Sequence, residues 1–127
     1  SNMRETEKIL IIDDDPGIRE SLTLIIKTMG YTAVSIDNGF EALSLLSQQN
    51  FDLVVLDVMM PEMDGWEVLK FIRDDPALQS TRVMLLTAKS TEKDRLIGKK
   101  ILKADEYISK PFDLREFKET IRRMLNE

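Results

Sequence analysis

The 127-residue chain contains no cysteine and no histidine. Without cysteine there can be no disulfide, thiol nucleophile or Cys-based zinc site. Without histidine there is no imidazole base, no Ser–His or Cys–His nucleophile pair and no imidazole metal ligand. Any chemistry must use carboxylates, hydroxyls, lysines, the backbone and a hard cation. Long apolar runs are also missing. Nothing approaches the roughly 18 residues of a membrane span, and no signal peptide precedes the first apolar run at Ile9. Acidic residues outnumber basic ones, 23 to 18, for a net charge of −5, so direct nucleic-acid binding is not expected. The expected setting is the cytoplasm, away from membranes.

What remains is 43% hydrophobic and 32% charged, enough for one core and too little for two. Ser1 and Asn2 ahead of Met3 resemble a scar of tag removal. Residues 1–7 are expected to form that scar and a flexible N-terminus, and residues 8–127 the single domain.

Ile9–Ile12, Leu53–Leu56 and Val83–Leu86 are continuous apolar runs, as in parallel strands covered on both faces. Thr32–Ile36 alternates like an edge strand, and Tyr107-Ile108 is a short fifth strand. Between them lie helical patterns. Ile18, Leu22, Ile25, Ile26 and Met29 form one face, closed by Gly30. Phe40, Leu43 and Leu46 form a second, and Trp66, Leu69 and Ile72 a third. Thr91–Leu102 reads as a more polar fourth helix. Leu114, Phe117, Ile121, Met124 and Leu125 form the fifth, with Asp113 as its N-cap. This alternation predicts an α/β, doubly wound five-stranded parallel sheet in flavodoxin-like order 2-1-3-4-5, with five helices on its two faces. Ligands of such sheets bind beyond the carboxyl ends of the strands, at the switch point between strands 1 and 3.

Those ends carry the chemistry-bearing residues. Strand 1 runs into Asp13-Asp14-Asp15, strand 3 into Asp57, strand 4 into Thr87, and strand 5 into Lys110-Pro111. Carboxylates from neighbouring strands repel unless neutralised. A hard divalent cation fits, and Mg2+ accepts carboxylates together with water and phosphate oxygens. Lys110 offers a charge for an anion and Thr87 a hydroxyl donor. Each residue also has a commonplace reading. Asp15 is a helix cap, Asp57 a turn residue, and Lys110 a solvated lysine. Asp64-Gly65 reads as turn and cap chemistry, Trp66 as a core or helix-face aromatic, and the basic run Lys93, Arg95, Lys99, Lys100, Lys103 as a solvated face or a partner contact.

From about Lys8 onward the chain resembles the response-regulator receiver domains of two-component signalling. The resemblance rests on Ile11-Ile12-Asp13-Asp14-Asp15-Pro16, Asp57 to Gly65, Thr87-Ala88 and Lys110-Pro111-Phe112. It implies that Asp57 is the phosphoacceptor. It implies Mg2+, with Mn2+ as a substitute, held by Asp14 directly, Asp13 through water, Asp57 and the Met59 backbone carbonyl. Thr87 and Lys110 would hold phosphoryl oxygens, Tyr107 would be the switch aromatic, and Lys110–Pro111 would be a cis peptide aiming the lysine inward. The implied donor is a sensor histidine kinase or phosphotransfer protein. The implied output is a partner, output domain or second copy at the fourth-helix, fifth-strand and fifth-helix surface. Such a domain catalyses only its own phosphotransfer and dephosphorylation, so it is not expected to be an enzyme with an external substrate.

The rivals are a pseudo-receiver acting only by protein contact, an aspartate-nucleophile phosphatase of the haloacid-dehalogenase type, and a flavin module. Gly17 and the lack of a cap insertion disfavour the phosphatase, and three aspartates would repel a flavin phosphate. The chain departs from the family at Lys103, where glycine is usual, and carries about one extra residue between Gly98 and Ala104. An altered junction between the fourth helix and fifth strand is therefore predicted. Met59 and Lys89, two residues past Asp57 and Thr87, occupy positions that tune phosphoryl lifetime in the family. Met59 cannot orient water by hydrogen bonding, so a lifetime that is not especially short is expected.

Overall fold

The apolar runs at Ile9, Leu53 and Val83 make the middle of a five-stranded sheet. In the computed structural model, which describes residues 6–88, 95–101 and 103–126, β1 is Lys8–Ile12, β2 Thr32–Ile36, β3 Leu53–Asp57, β4 Arg82–Thr87 and β5 Glu106–Ser109. All pairings are parallel, in the order β2-β1-β3-β4-β5. The expected strand order and the expected edge position of Thr32–Ile36 are both present.

Strand side chains alternate between faces, so the apolar runs supply the packed layers on both sides of one sheet. Leu10, Ile12, Val54, Leu56, Val83 and Leu85 pack with Ala42, Leu46, Val68, Leu69 and Ile72 on one side. Ile9, Ile11, Leu53, Val55, Met84 and Leu86 pack with Leu22, Ile26, Phe117 and Ile121 on the other. Helix α1 (Pro16–Thr28) is capped by Asp15, whose side chain accepts from the Gly17 and Ile18 amides. Helix α2 is Gly39–Gln48, and α3 is Gly65–Asp74. Asp64 and Glu67 form a reciprocal capping box at the start of α3. Helix α4 is Leu114–Asn126, and the Asp113 carboxylate accepts from Arg115 N at 2.7 Å, the N-cap role expected of it.

Two helix faces differ from expectation. Phe40 is 56% exposed and Leu114 47% exposed. The inner face of α2 is instead Gly39, Ala42 and Leu46. A Cβ at Gly39 would lie 2.8 Å from Val68 Cγ2 and 2.9 Å from Met63 Sδ. Helices α2 and α3 thus approach too closely there to admit a ring.

Five α-helices are expected from the sequence. Among the described residues there are four, and the fourth expected helix is represented by a π-helical stretch at Ile97–Ile101. Residues 89–94 and 102, including Lys89 and Lys93, lie outside the described residues. The altered junction expected at Lys103 is present. Lys103 has φ +60°, a left-handed conformation unfavourable for a residue with Cβ. The helical stretch shortly before this junction is wound as a π turn rather than an α turn. Arg73, at the end of α3, secures this junction. Its guanidinium donates to Lys103 O at 2.9 Å, Thr81 O at 2.5 Å and Asp105 Oδ2 at 2.9 Å. Asp105 Oδ2 also accepts from Val83 N at 2.7 Å.

Candidate functional site

Register alone brings the first two carboxylates together. Ile12 of β1 is paired with Leu56 of β3, so the following residues, Asp13 and Asp57, emerge side by side. Asp13 is 1% exposed and Asp57 4% exposed. Asp14, one residue on, is exposed. One carboxylate oxygen from each of Asp13, Asp14 and Asp57 lies within 4.8 Å of the others. Three oxygen donors at that spacing fit a hard divalent cation, and an all-oxygen set suits Mg2+ better than a softer metal.

Lys110 reaches the same cluster from the loop after β5. Its Nζ donates to Asp13 Oδ2 at 3.0 Å and lies 3.4 Å from Asp57 Oδ1. The Lys110–Pro111 peptide is cis, as expected, and Lys110 N donates to Thr87 O at 2.7 Å. Thr87 is completely buried at the end of β4. Around the cluster the backbone is tied down as well. Asp15 N donates to Asp13 Oδ1 at 2.9 Å, Arg19 Nη1 to Asp13 O at 2.8 Å, and Met59 N to Asp57 Oδ1 at 3.3 Å. The Met59 side chain is 52% exposed at the rim.

The Asp57 carboxyl is pushed up to about 6, first by burial and then by the Asp13 charge; Lys110 and the Met59 amide offset part of this. It therefore remains largely ionised at neutral pH. Burial pulls the Lys110 ammonium down, but Asp13 and Asp57 together outweigh it, and its net shift is upward. The lysine is thus a fixed cation among crowded anions.

The residues expected at the strand ends, Asp13, Asp14, Asp57, Thr87 and Lys110, therefore converge on one edge of the sheet. Tyr107 lies deeper, 2% exposed on β5. The Asp15 side chain caps α1, and its amide holds Asp13 Oδ1. One contributor was not recognised from sequence beyond its turn role. A Cβ at Gly65 would sit 2.7 Å from Val58 Cα and 2.9 Å from Asp57 C, while Gly65 N donates to Val58 O at 2.9 Å. Gly65 lets α3 press against the backbone carrying Asp57. Its place eight positions after Asp57, directly behind a capping aspartate, was the available signal.

Comparison with known proteins agrees with this geometry. The family model described as the response regulator receiver domain matches residues 9–122. The Pseudomonas aeruginosa transcriptional regulatory protein GltR is 38% identical over 92% of this chain and 48% of its own length. The Bacillus subtilis alkaline phosphatase synthesis transcriptional regulatory protein PhoP is 37% identical over 94% of this chain and 48% of its own. The chain thus spans about half the length of the curated relatives it matches. Among solved structures, the Thermotoga maritima response regulator TrrA, in complex with Mg2+ and BeF, matches with a TM-score of 0.81 and 36% identity, covering 94% of this chain and 99% of that one. The Vibrio cholerae chemotaxis protein CheY4 gives 0.88 and 29%, covering 94% and 99%.

Proposed function

The chain belongs to the response regulator receiver domain family, and from that premise we propose that Asp57 accepts a phosphoryl group and that this switches the surface around β5. The observation that carries the reading is the single cluster in which Asp13, Asp14 and Asp57 offer oxygens within 4.8 Å while Lys110 bridges Asp13 and Asp57.

In the proposed reaction an Asp57 oxygen attacks the phosphorus of a phosphohistidine in line. The P–O bond of an acyl phosphate forms and the P–N bond to the imidazole breaks, with the electron pair leaving on nitrogen. Asp13 and Asp14, with Asp57 and the Met59 carbonyl, would hold Mg2+. The cation would supply charge neutralisation for the phosphoryl oxygens. Lys110, already 3.4 Å from Asp57 Oδ1, shifts its contact to a phosphoryl oxygen. The Thr87 hydroxyl donates to another, and Tyr107 fills the space beside Thr87. Water later attacks the phosphorus, releasing inorganic phosphate and restoring the carboxylate. Nothing else is turned over, so the domain acts as a switch rather than as an enzyme with an external substrate.

The partners that fit are a sensor histidine kinase or phosphotransfer protein as donor and an output domain or second copy as receiver of the signal. The transcriptional regulators among its relatives make gene regulation the proposed output. Among the described residues no helix is long and apolar enough to cross a membrane, and the cytoplasm is the proposed location.

The test is intact-mass spectrometry after incubation with a small phosphodonor. The expected result is one added phosphoryl group, dependent on Mg2+ and absent from Asp57→Asn. No addition with any donor would overturn the reading in favour of a pseudo-receiver that works by contact alone.

A further inference from the structure

Tyr107 is buried against two groups that lie outside its own strand. The Trp66 ring centroid is 6.3 Å from that of Tyr107, inclined by 33°. The Arg95 guanidinium carbon is 5.5 Å from the Tyr107 centroid. At that distance the cation is attracted by the ring's quadrupole. Arg95 Nη1 also donates to Ser109 Oγ at 3.4 Å. An arginine in a basic, polar segment would ordinarily keep its head group in water. Here it is half-buried and turned onto β5.

The two residues it touches are not arbitrary. Tyr107 is registered against Leu85, and Ser109 against Thr87. Alternate residues of a strand share a face, so Arg95 contacts the face of β5 that adjoins Thr87. Arg95 also lies just ahead of the π-helical stretch at Ile97–Ile101. Its side chain therefore joins that helical segment to the strand bearing the switch aromatic.

We propose that Arg95 is a positioning residue of the switch: its guanidinium holds Tyr107 buried and couples the helical segment to Thr87 through Ser109. The inference rests on the roles given to Thr87 and Tyr107 under the proposed function. If a phosphoryl group draws Thr87 inward and Tyr107 fills the vacated space, the buried ring belongs to the packing that a bound phosphoryl group favours. Arg95 then stabilises that packing, and linkage requires it to strengthen phosphoryl-group binding in return.

Two measurements on the wild-type domain, Arg95→Ala and Arg95→Lys decide this. The first is nitration by tetranitromethane, mapped by mass spectrometry, with Tyr31 as internal reference for the chain's two tyrosines. Nitration of Tyr107 relative to Tyr31 should rise about two- to fivefold in Arg95→Ala and be partly restored by Arg95→Lys, which keeps a cation over the ring. The second is a titration with beryllofluoride and Mg2+ followed by emission of Trp66, the single tryptophan. Apparent affinity should fall about two- to fivefold in Arg95→Ala, and less in Arg95→Lys. Unchanged Tyr107 protection would overturn the claim that Arg95 holds the ring. Raised nitration with unchanged affinity would overturn the coupling. A wild-type domain that binds no beryllofluoride would overturn the phosphorylation reading and the coupling with it, while nitration would still decide whether Arg95 holds the ring.

Discussion

Asp57 should destabilise the fold it serves when no divalent cation is present, and Asp57→Asn should reveal this. The carboxyl is pushed from 3.8 to about 6, by burial first and by Asp13 second. At about 1.36 kcal/mol per pKa unit the whole shift corresponds to about 3 kcal/mol. Asp14 leaves one side of the site open to water, and screening there reduces the figure to about 1–2 kcal/mol. The sign follows from linkage. The folded-state value lies above the unfolded one, so between about pH 4 and 6 the folded protein binds more protons and gains stability as pH falls. Above about 6 the charge carries its full cost. In chelator at about pH 7.5, Asp57→Asn should therefore be more stable than wild type by about 1–2 kcal/mol, and the gap should narrow toward pH 4.5 as the wild-type carboxyl takes up its proton. Urea denaturation followed by far-UV circular dichroism measures this directly. Saturating Mg2+ should then stabilise wild type more than the variant, since the variant offers one carboxylate fewer. A variant no more stable than wild type in chelator at neutral pH, or a gap that does not change with pH, would refute the reasoning.

Three other substitutions test parts of the frame. Lys103→Gly removes a Cβ from a backbone with φ +60° and should raise stability by about 0.5–1 kcal/mol, read as a higher denaturation midpoint. Arg73→Ala strips the guanidinium from three backbone carbonyls and from Asp105, leaving the Asp105 carboxylate without its cation. It should cost about 2–4 kcal/mol and speed amide exchange around Lys103 before it does so elsewhere. Gly65→Ala drives a methyl into the Asp57–Val58 backbone. It should cost more than about 2 kcal/mol and slow phosphoryl uptake, whereas an alanine at exposed Lys70 on the same helix should leave the uptake rate unchanged.

What could be read in advance follows from how far each interaction reaches along the chain. Strands buried on both faces announce themselves as apolar runs, and each run ends where a polar residue must meet water or a partner. Asp13, Asp57 and Thr87 were legible for that reason. Their convergence followed from strand order alone. The helix faces were read less well, because a 3.6-residue pattern locates an apolar stripe but not how tightly the helix is pressed down. At α2 the contact with Val68 and Met63 leaves no room for a side chain at Gly39, so Gly39 and Ala42 take the inner face at the start of the helix, Leu46 follows further along, and Phe40 turns to solvent. The Arg73 clamp spans 30 positions to Lys103 and 32 to Asp105. No local pattern encodes it. Lys103 was conspicuous as a non-glycine in a glycine position, but what secures it is an arginine at the end of α3.

Arg73 and Lys110 show the same physics at opposite ends of the last two strands. Each is a basic side chain drawn out of full exposure by backbone carbonyls or carboxylates. Arg73 is satisfied four ways in a fixed geometry, by Lys103, Gln79, Thr81 and Asp105. A planar fork with that many acceptors has one arrangement, so it makes a strut. Lys110 is a point charge 3.0 Å from Asp13 and 3.4 Å from Asp57, and can exchange one oxygen for another at little geometric cost. The Asp57 partner it holds is itself strained by burial and by Asp13. If the site releases one contact and takes up another, as proposed, it needs the second kind of cation. Under the proposed switch, the junction near Tyr107 needs the first kind behind it. Exchanging the two chemistries should therefore fail at both places. Lys110→Arg would fix the site in one arrangement, and Arg73→Lys would keep the charge beside Asp105 while losing most of the carbonyl contacts.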